Sequence, residues 1–499
     1  MDELLAIYLR TFEHIYRIIH VPTFQKEQET FREHPDMLPS DFIIRFQLCM
    51  ALGACMHDDT FSLRPCALQW IHEAQEWLES SENRRSTIAG IQVMCLLHLS
   101  LQATESLYGD RVWILSGTLL RSAMCLGLHR DPARLPRMSI YQAEMRRRLW
   151  TTILELVLDA SLDSGQPSLL SSDDYDTELP LNVDDDQIGP DIETVPSAKD
   201  MGLLTDTSVQ ISLGRSIPLR LRLSKHWSKI KPETSYAAIL QLSSQLSAAR
   251  RSLDEALRLM YPKVSQFQYQ YCDAVFIRCI FTLHLPYIPL SSPLFCHSHK
   301  ICTEAALEMS YMTLPISHIN DPLLEIIHTT SGIKDQCSDF TRLSLCGSGS
   351  FRTAQHLATS VIATELNLMV GNDGINRPAF VVRTAELHML LRAGVEWSEK
   401  RIRAGQDNVK DYVYFAVNLA EIEAKMNGKT LGDAMEKGGL EAVNHAVAVL
   451  TEMIGDQAVA QDTGLSFDVD QEELDVMGAF WGDDFPDLGW IDSASQSQM

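Results

Sequence analysis

The chain has 499 residues, 45% of them hydrophobic and 22% charged, which is enough apolar material for one or two substantial cores. Its formal charge is −24, from 66 acidic against 42 basic residues, so it has no general electrostatic hold on phosphate backbones. The 11 cysteines are scattered without a Cys-x-x-Cys spacing, which points to reduced thiols in the cytosol or nucleus.

The start, MDELLAIYLRTF, is amphipathic and acidic, unlike a signal peptide. Leu4, Leu5, Tyr8, Leu9, Phe12, Ile15, Tyr16 and Ile19 recur at helical spacing and predict a helix with a wide apolar face. Pro22 is expected to end it or mark the turn, and a polar helix follows. Residues 41–56 predict a buried helix with Ser40 or Asp41 as its cap, and Gly53 and Ala54 permit close approach of a neighbour. Further helices are expected at 65–78 and at 87–103, the second nearly all apolar and therefore central. The apolar stretch 88–101 is interrupted by Gln92, His98 and Ser100, too short and too polar to span a membrane.

A helix over 110–126 should close at Gly127, a C-terminal cap position. After the loop 129–139, residues 141–160 predict a helix with Leu149, Ile153, Leu156, Val157 and Ala160 as its stripe, widened by Trp150. Arg146, Arg147 and Arg148 cannot all face one way at about 100° per residue. One or two must lie near the core boundary, and the acidic loop 173–191 is the nearest source of carboxylates. Such pairs fix geometry more than they add stability. Residues 165–196 lack periodicity. Helices resume near Leu203 and are expected at 235–260, 271–285, 298–314, 321–329, 351–368, 379–403, 409–426 and 436–453. The expectation is an all-α fold with an N-terminal helical half (1–196), a C-terminal half (197–453) and an acidic–hydrophobic tail (454–499).

No Lys or Arg follows Lys437. The tail sets Phe467, Leu474, Phe480, Trp481, Phe485 and Trp490 among Asp and Glu, the composition of an activation segment. Charge repulsion keeps such aromatics from collapsing and leaves them free to dock into a partner's groove. Docking onto its own domain and a frayed end without a role are the alternatives.

Signals for chemistry are weak. Cys296, His297, His299 and Cys302 are ligand types in a short span, but structural zinc wants spaced pairs and a longer loop, so a helix start is the better reading. Asp184, Asp185 and Asp186, like Asp468 and Asp470, lack the spacing of a calcium loop. Gly347 and Gly349 are not followed by Lys-Ser/Thr, which leaves a flexible connector. There is no Gly-x-Ser-x-Gly elbow and no His-Glu-x-x-His, so no enzyme is expected. The densest basic run holds Arg220, Arg222, Lys225, Lys229 and Lys231 with His226 and Trp227, either a phosphate-contacting strip or a solvated helix face.

One set of motifs carries a resemblance. Gly117, Arg121, Ala123, Gly127, Leu128, His129, Arg130 and Asp131 form a helix ending in Gly-Leu-His-Arg-Asp, and Glu144, Arg146, Arg147, Arg148, Leu149 and Trp150 form Glu-x-Arg-Arg-Arg-x-Trp. Asp159, the turn Gly165-Gln166-Pro167, and Asp174, Asp176, Pro180, Asn182, Asp184 and Asp185 follow in order. Together with His20, Pro22 and Phe24 near the start, and the segments 218–220 and 283–288, these resemble the regulatory "middle homology" domain of fungal-specific transcription factors over about residues 1–430.

The resemblance implies an all-helical regulatory domain in a nuclear regulator of a metabolic or secondary-metabolite gene cluster. It implies a coactivator or another transcription factor as partner, a small-molecule inducer in a mostly apolar pocket, and a homodimer as one assembly. The signature residues are then structural joints of the domain, not a catalytic site. Gln166 stands where the pattern has Arg, which removes a bidentate donor. No six-Cys zinc cluster occurs in the sequence, so no cofactor is expected in this chain, and zinc would enter only with an upstream Zn2Cys6 module. DNA contact is then expected only indirectly or through such a module. The rival expectation is a helical small-molecule-binding or scaffold protein.

Overall fold

Apolar residues at helical spacing become helices throughout the computed structural model, which describes residues 1–34, 39–80, 82–104, 109–227, 235–260, 263–288, 292–314, 338–371, 378–406 and 409–461. No strand occurs among them. The expected helix at 321–329, Lys229 and Lys231, and the tail residues from Phe467 to Trp490 lie outside the described residues.

Helix α1 (Asp2–Tyr8) passes through a π-helical turn (Leu9–Glu13) into α2 (His14–Tyr16). The break comes at Arg17, in the left-handed region at φ 52°, and not at Pro22. Pro22 instead occupies the first turn of α3 (Val21–Glu33), where its missing N–H leaves nothing unsatisfied. The Glu13 carboxylate accepts the Ile18 and Ile19 N–H groups, at 3.2 Å each, and so stabilises the turn.

Helix α4 (Ser40–Ala54) begins after Pro39 without a side-chain cap. Ser40 Oγ accepts a hydrogen bond from Trp77 Nε1 at 2.9 Å, and Asp41 accepts one from Arg45 at 3.0 Å, so neither is left to cap. At Gly53 a Cβ would fall 2.0 Å from the Leu4 carbonyl oxygen, so only glycine lets α1 and α4 touch backbone to backbone.

Helix α5 (Arg64–Glu79) precedes α6 (Ile88–Thr104), which is buried on every side from Gly90 onward and packs against α4, α5, α7 (Gly109–Cys125) and α8 (Ile140–Asp163). Helix α7 ends in a Schellman motif: Leu128 N–H donates to the Ala123 carbonyl at 3.0 Å and Gly127 N–H to the Met124 carbonyl at 2.9 Å. A capping box between Ser139 and Gln142 starts α8.

After the irregular segment come α9 (Ser208–Gly214), α10 (Ile217–Trp227), α11 (Tyr236–Leu259), α12 (Gln266–His284) and α13 (Cys296–Thr313). Then follow α14 (Asp339–Cys346), α15 (Ser350–Gly371), α16 (Pro378–Arg403), α17 (Lys410–Met426) and α18 (Leu431–Gln461). A single apolar cluster runs from Leu4 to Ile422, drawing on both sides of residue 196. A smaller one, with Ile402, Tyr412, Ala442, Ala446 and Val449, joins α16, α17 and α18. No helix among the described residues is long and apolar enough to cross a membrane.

Candidate functional site

Helix α8 carries Glu144, Arg148, Glu155 and Asp159 at intervals that return to one side of a helix. All are buried, so each must find a partner or pay the desolvation of a charge. Arg148 donates to Asp185 at 2.6 Å, and Arg17 donates to the same carboxylate oxygen at 2.5 Å. The other Asp185 oxygen accepts the Val21 N–H at 3.0 Å. Burial pushes the Asp185 carboxyl up, but Arg17 and Arg148 outweigh it and hold it well below the usual carboxylate range. Farther along, Arg220 forks onto both oxygens of Glu155, with Nη2 to Oε2 at 2.7 Å. Arg278 pairs with Asp159 and reaches Asp163 at 3.6 Å.

Next to this stripe, Arg147 forks onto Asp131 (3.0 and 2.9 Å) and also holds Glu144 at 2.8 Å. Asp131 accepts the N–H groups of Ala133 at 2.9 Å and Glu178 at 3.1 Å. Burial raises its carboxyl, but Arg147 and these amides hold it down at about 2. The second Glu144 oxygen takes the Leu181 N–H at 2.9 Å, and Asp176 accepts from Asp131 N–H at 2.8 Å and from Arg134 at 2.8 Å. Arg130 lies 3.3 Å from Asp176. The acidic loop is therefore pinned to the α7–α8 connection by its own carboxylates and amides.

The remaining signature residues support this joint in other ways. Trp150 is buried, with its ring 6.2 Å from that of His129 and 5.7 Å from that of Tyr175. Arg121 Nη1 donates to the Gly117 carbonyl one turn earlier, at 3.2 Å. Arg146 donates to the Leu126 carbonyl, at the end of α7. Gln166 is exposed.

Several candidates take different places from those expected. Arg220, counted in the basic run, is 1% exposed and committed to Glu155, while Arg222 donates to Gln245 at 2.8 Å. Cys296 opens α13 after the Pro-containing segment, the helix start that the sequence reading expected, while Cys302 is buried and His299 lies 3.3 Å from Glu365. Among the described residues no group of His, Cys, Asp and Glu is arranged to hold a metal. The Gly347 connector is not loose: Arg401 Nη1 donates to the carbonyls of Ser344, Leu345 and Gly347 at 2.7, 2.8 and 2.8 Å.

Sequence reasoning missed Arg17, Glu13, Glu155 and Arg278 as members of the buried charge set. The available signal was the spacing of Glu144, Arg148, Glu155 and Asp159, which returns charges of both signs to one side of α8.

A cleft of about 450 Å³ opens between α3, α4, α6 and the first turns of α8. Its walls include His20, Phe24, Glu27, Arg45, Gln92, Met138, Tyr141, Met145 and Arg146. His20 is fixed by Thr23 Oγ at 2.7 Å and by the Asp185 carbonyl at 2.9 Å, which joins the cleft to the ion-pair centre. Its ring meets that of Tyr141 edge-on, at 5.1 Å between centroids.

Comparison with known proteins agrees with this architecture. The family model described as "Fungal specific transcription factor domain" matches residues 5–281. "Transcription factor opdR" of Penicillium oxalicum is 30% identical, over 94% of this chain and 62% of its own length. "Transcription factor lepE" of Aspergillus flavus is 29% identical, over 90% of this chain and 55% of its own length. "Aspyridones cluster regulator apdR" of Emericella nidulans is 31% identical, over 78% of this chain and 53% of its own length. The chain thus spans between 53% and 62% of the length of these relatives. No solved structure matches it. With the motif order, the all-helical fold and the family model in agreement, the chain belongs to the fungal-specific transcription factor domain family.

Proposed function

We propose that this chain is the regulatory part of a transcription regulator that controls a secondary-metabolite gene cluster in the nucleus. The observation that carries the reading is the family match over residues 5–281, supported by relatives named as transcription factors and as a cluster regulator. The buried pairs of α8 and the signature residues around Asp131 act as structural joints that hold the acidic loop and the helices in one arrangement. The tail carries activation: Phe467, Leu474, Phe480, Trp481, Phe485 and Trp490 dock into a coactivator or a partner transcription factor. DNA is reached through that partner or through a Zn2Cys6 module, and Arg220 of the basic run is committed to Glu155 inside the fold. A small-molecule inducer and a homodimer complete the reading.

Fusing residues 461–499 to a foreign DNA-binding domain tests the core of it. Reporter activation that is lost when Trp481 and Phe485 become Ala, together with nuclear accumulation of the full chain, supports the proposal. An inert fusion and a cytosolic chain would overturn it. The cleft favours a second reading, a small-molecule-binding or scaffold protein without transcriptional output, which is what that negative result would leave standing.

A further inference from the structure

The three consecutive arginines of α8 differ in one respect. Arg147 and Arg148 are paired with Asp131 and Asp185, but Arg146 makes no ion pair among the described residues. Its Nη2 is used by the Leu126 carbonyl, and its Nε is buried without a hydrogen-bond partner while the side chain lines the cleft. Glu27 lines the same cleft and also leaves a buried atom unpartnered. Its Oε2 lies 3.5 Å from Arg45 Nη2 without a hydrogen bond. Arg45 is already occupied by the Asp41 carboxylate at 3.0 Å and the Asp41 carbonyl at 3.2 Å. One cleft therefore presents a guanidinium without an ion pair and a carboxylate whose ion pair to Arg45 carries no hydrogen bond. A ligand supplying the complementary groups would relieve that unmet hydrogen-bonding demand.

The rest of the wall is apolar and adaptable. Phe24 is buried, and Met138 and Met145 are unbranched side chains able to follow an irregular outline. A volume of about 450 Å³ lies within the range of small-molecule sites. A chain of formal charge −24 repels anions in general, so an anion that binds here must be held by a specific guanidinium.

We propose that this cleft is a binding site for a small organic acid with an apolar, ring-containing body. Its anionic oxygen accepts from the Arg146 guanidinium, and a hydroxyl or N–H on the same molecule donates to the Glu27 carboxylate. The proposal rests on the regulatory reading, giving its small-molecule inducer a site and a chemical class, but it is measured without any transcriptional readout, so either can fail alone.

The probe is anilinonaphthalene sulfonate, which joins a sulfonate, an N–H and apolar rings, titrated into the full chain and followed by fluorescence. A single saturable site is expected. Arg146→Gln and Glu27→Gln should each weaken it about tenfold or more, the loss of one hydrogen bond to a charged group. Ala89→Trp, which fills the cleft from α6, should abolish binding, and Arg130→Gln, outside the cleft, should leave it unchanged. Urea unfolding of each variant separates lost binding from lost folding. If Ala89→Trp does not fold, Met138→Trp closes the cleft from the loop before α8. Unsaturable binding, or affinity unchanged by both Gln variants and by the filling variant, would overturn the proposal.

Discussion

The first half of α8 ties itself to chain that lies close by in sequence, and the second half ties itself to helices far away. Arg147 and Arg148 take Asp131 and Asp185, on the loops that precede and follow the helix. Glu155 and Asp159 take Arg220 on α10 and Arg278 on α12. The side chain of Arg147 is 17% exposed, whereas that of Arg220 is 1% exposed. Both near pairs anchor loops, Arg147–Asp131 at the edge of the core and Arg148–Asp185 inside it, whereas the distant pairs set how helices meet. A pair at the edge can relax into water when broken, and a pair inside cannot.

The largest expected effect follows from that contrast. Arg220→Ala strands the Glu155 carboxylate in the core and frees the Ser216 hydroxyl that Arg220 Nε holds at 2.9 Å. Breaking a buried pair from one side destabilises by about 3–5 kcal/mol, so urea unfolding should show a loss of that order. Combining Glu155→Leu with Arg220→Met removes both charges and should restore most of the stability, since apolar replacements of buried pairs are often neutral. A single-variant loss below about 1 kcal/mol would mean that Arg220 behaves like a surface partner, and the contrast between the two halves would collapse.

The same contrast explains what the sequence could and could not disclose. Helices at 110–126 and 141–160, the Gly127 stop and the carboxylates of the acidic loop were legible because periodicity, a turn-forming residue and proximity in the chain all speak locally. Arg220 read as part of a basic surface run, since nothing within α10 announces a carboxylate on α8. Arg278 sits in a segment so apolar that its charge looked incidental, yet it is buried against Asp159. The break after the first helix was placed at Pro22 because proline is the obvious stop. The Glu13 carboxylate, accepting amides five and six residues on, is what supports the left-handed Arg17, a side-chain contact that apolar periodicity does not reveal.

Around Arg17 the near cluster can be sharpened further by pH. Asp185 touches two guanidinium groups and is driven down. Glu13 is fully buried with Arg17 only at 3.9 Å, so burial outweighs Arg17 and the Tyr8 hydrogen bond and pushes its carboxyl up to about 7. A folded value above the ordinary 4.5 means that the folded state holds the proton more tightly. The stability this contributes is complete below about pH 4.5 and is lost as pH rises through 7. Glu13→Gln mimics the protonated form, so its stability relative to wild type should climb by about 2.5 kcal/mol between pH 5 and pH 8. The comparison is made at each pH, so that histidines common to both chains cancel. A flat difference would show Glu13 ionised throughout and paired with Arg17, making it a second Asp185.

The smallest effect lies at the hinge between the near cluster and the cleft. Gly127 sits at φ 74°, where a side chain is strained, but a Cβ there would meet only Arg146 Nη2, at 3.6 Å, an ordinary contact. Gly127→Ala should therefore cost about 1–2 kcal/mol of backbone strain and no steric clash. Gly127→Asn should cost less, because asparagine tolerates the left-handed region. Thermal unfolding of the two variants ranks them. Neither should alter binding in the cleft, because the Schellman bonds of Leu128 and Gly127 are backbone bonds that both variants retain, and the Leu126 carbonyl stays in place for Arg146. Equal destabilisation by Ala and Asn would point to displacement of Arg146, not backbone strain, and probe binding would then fall with stability.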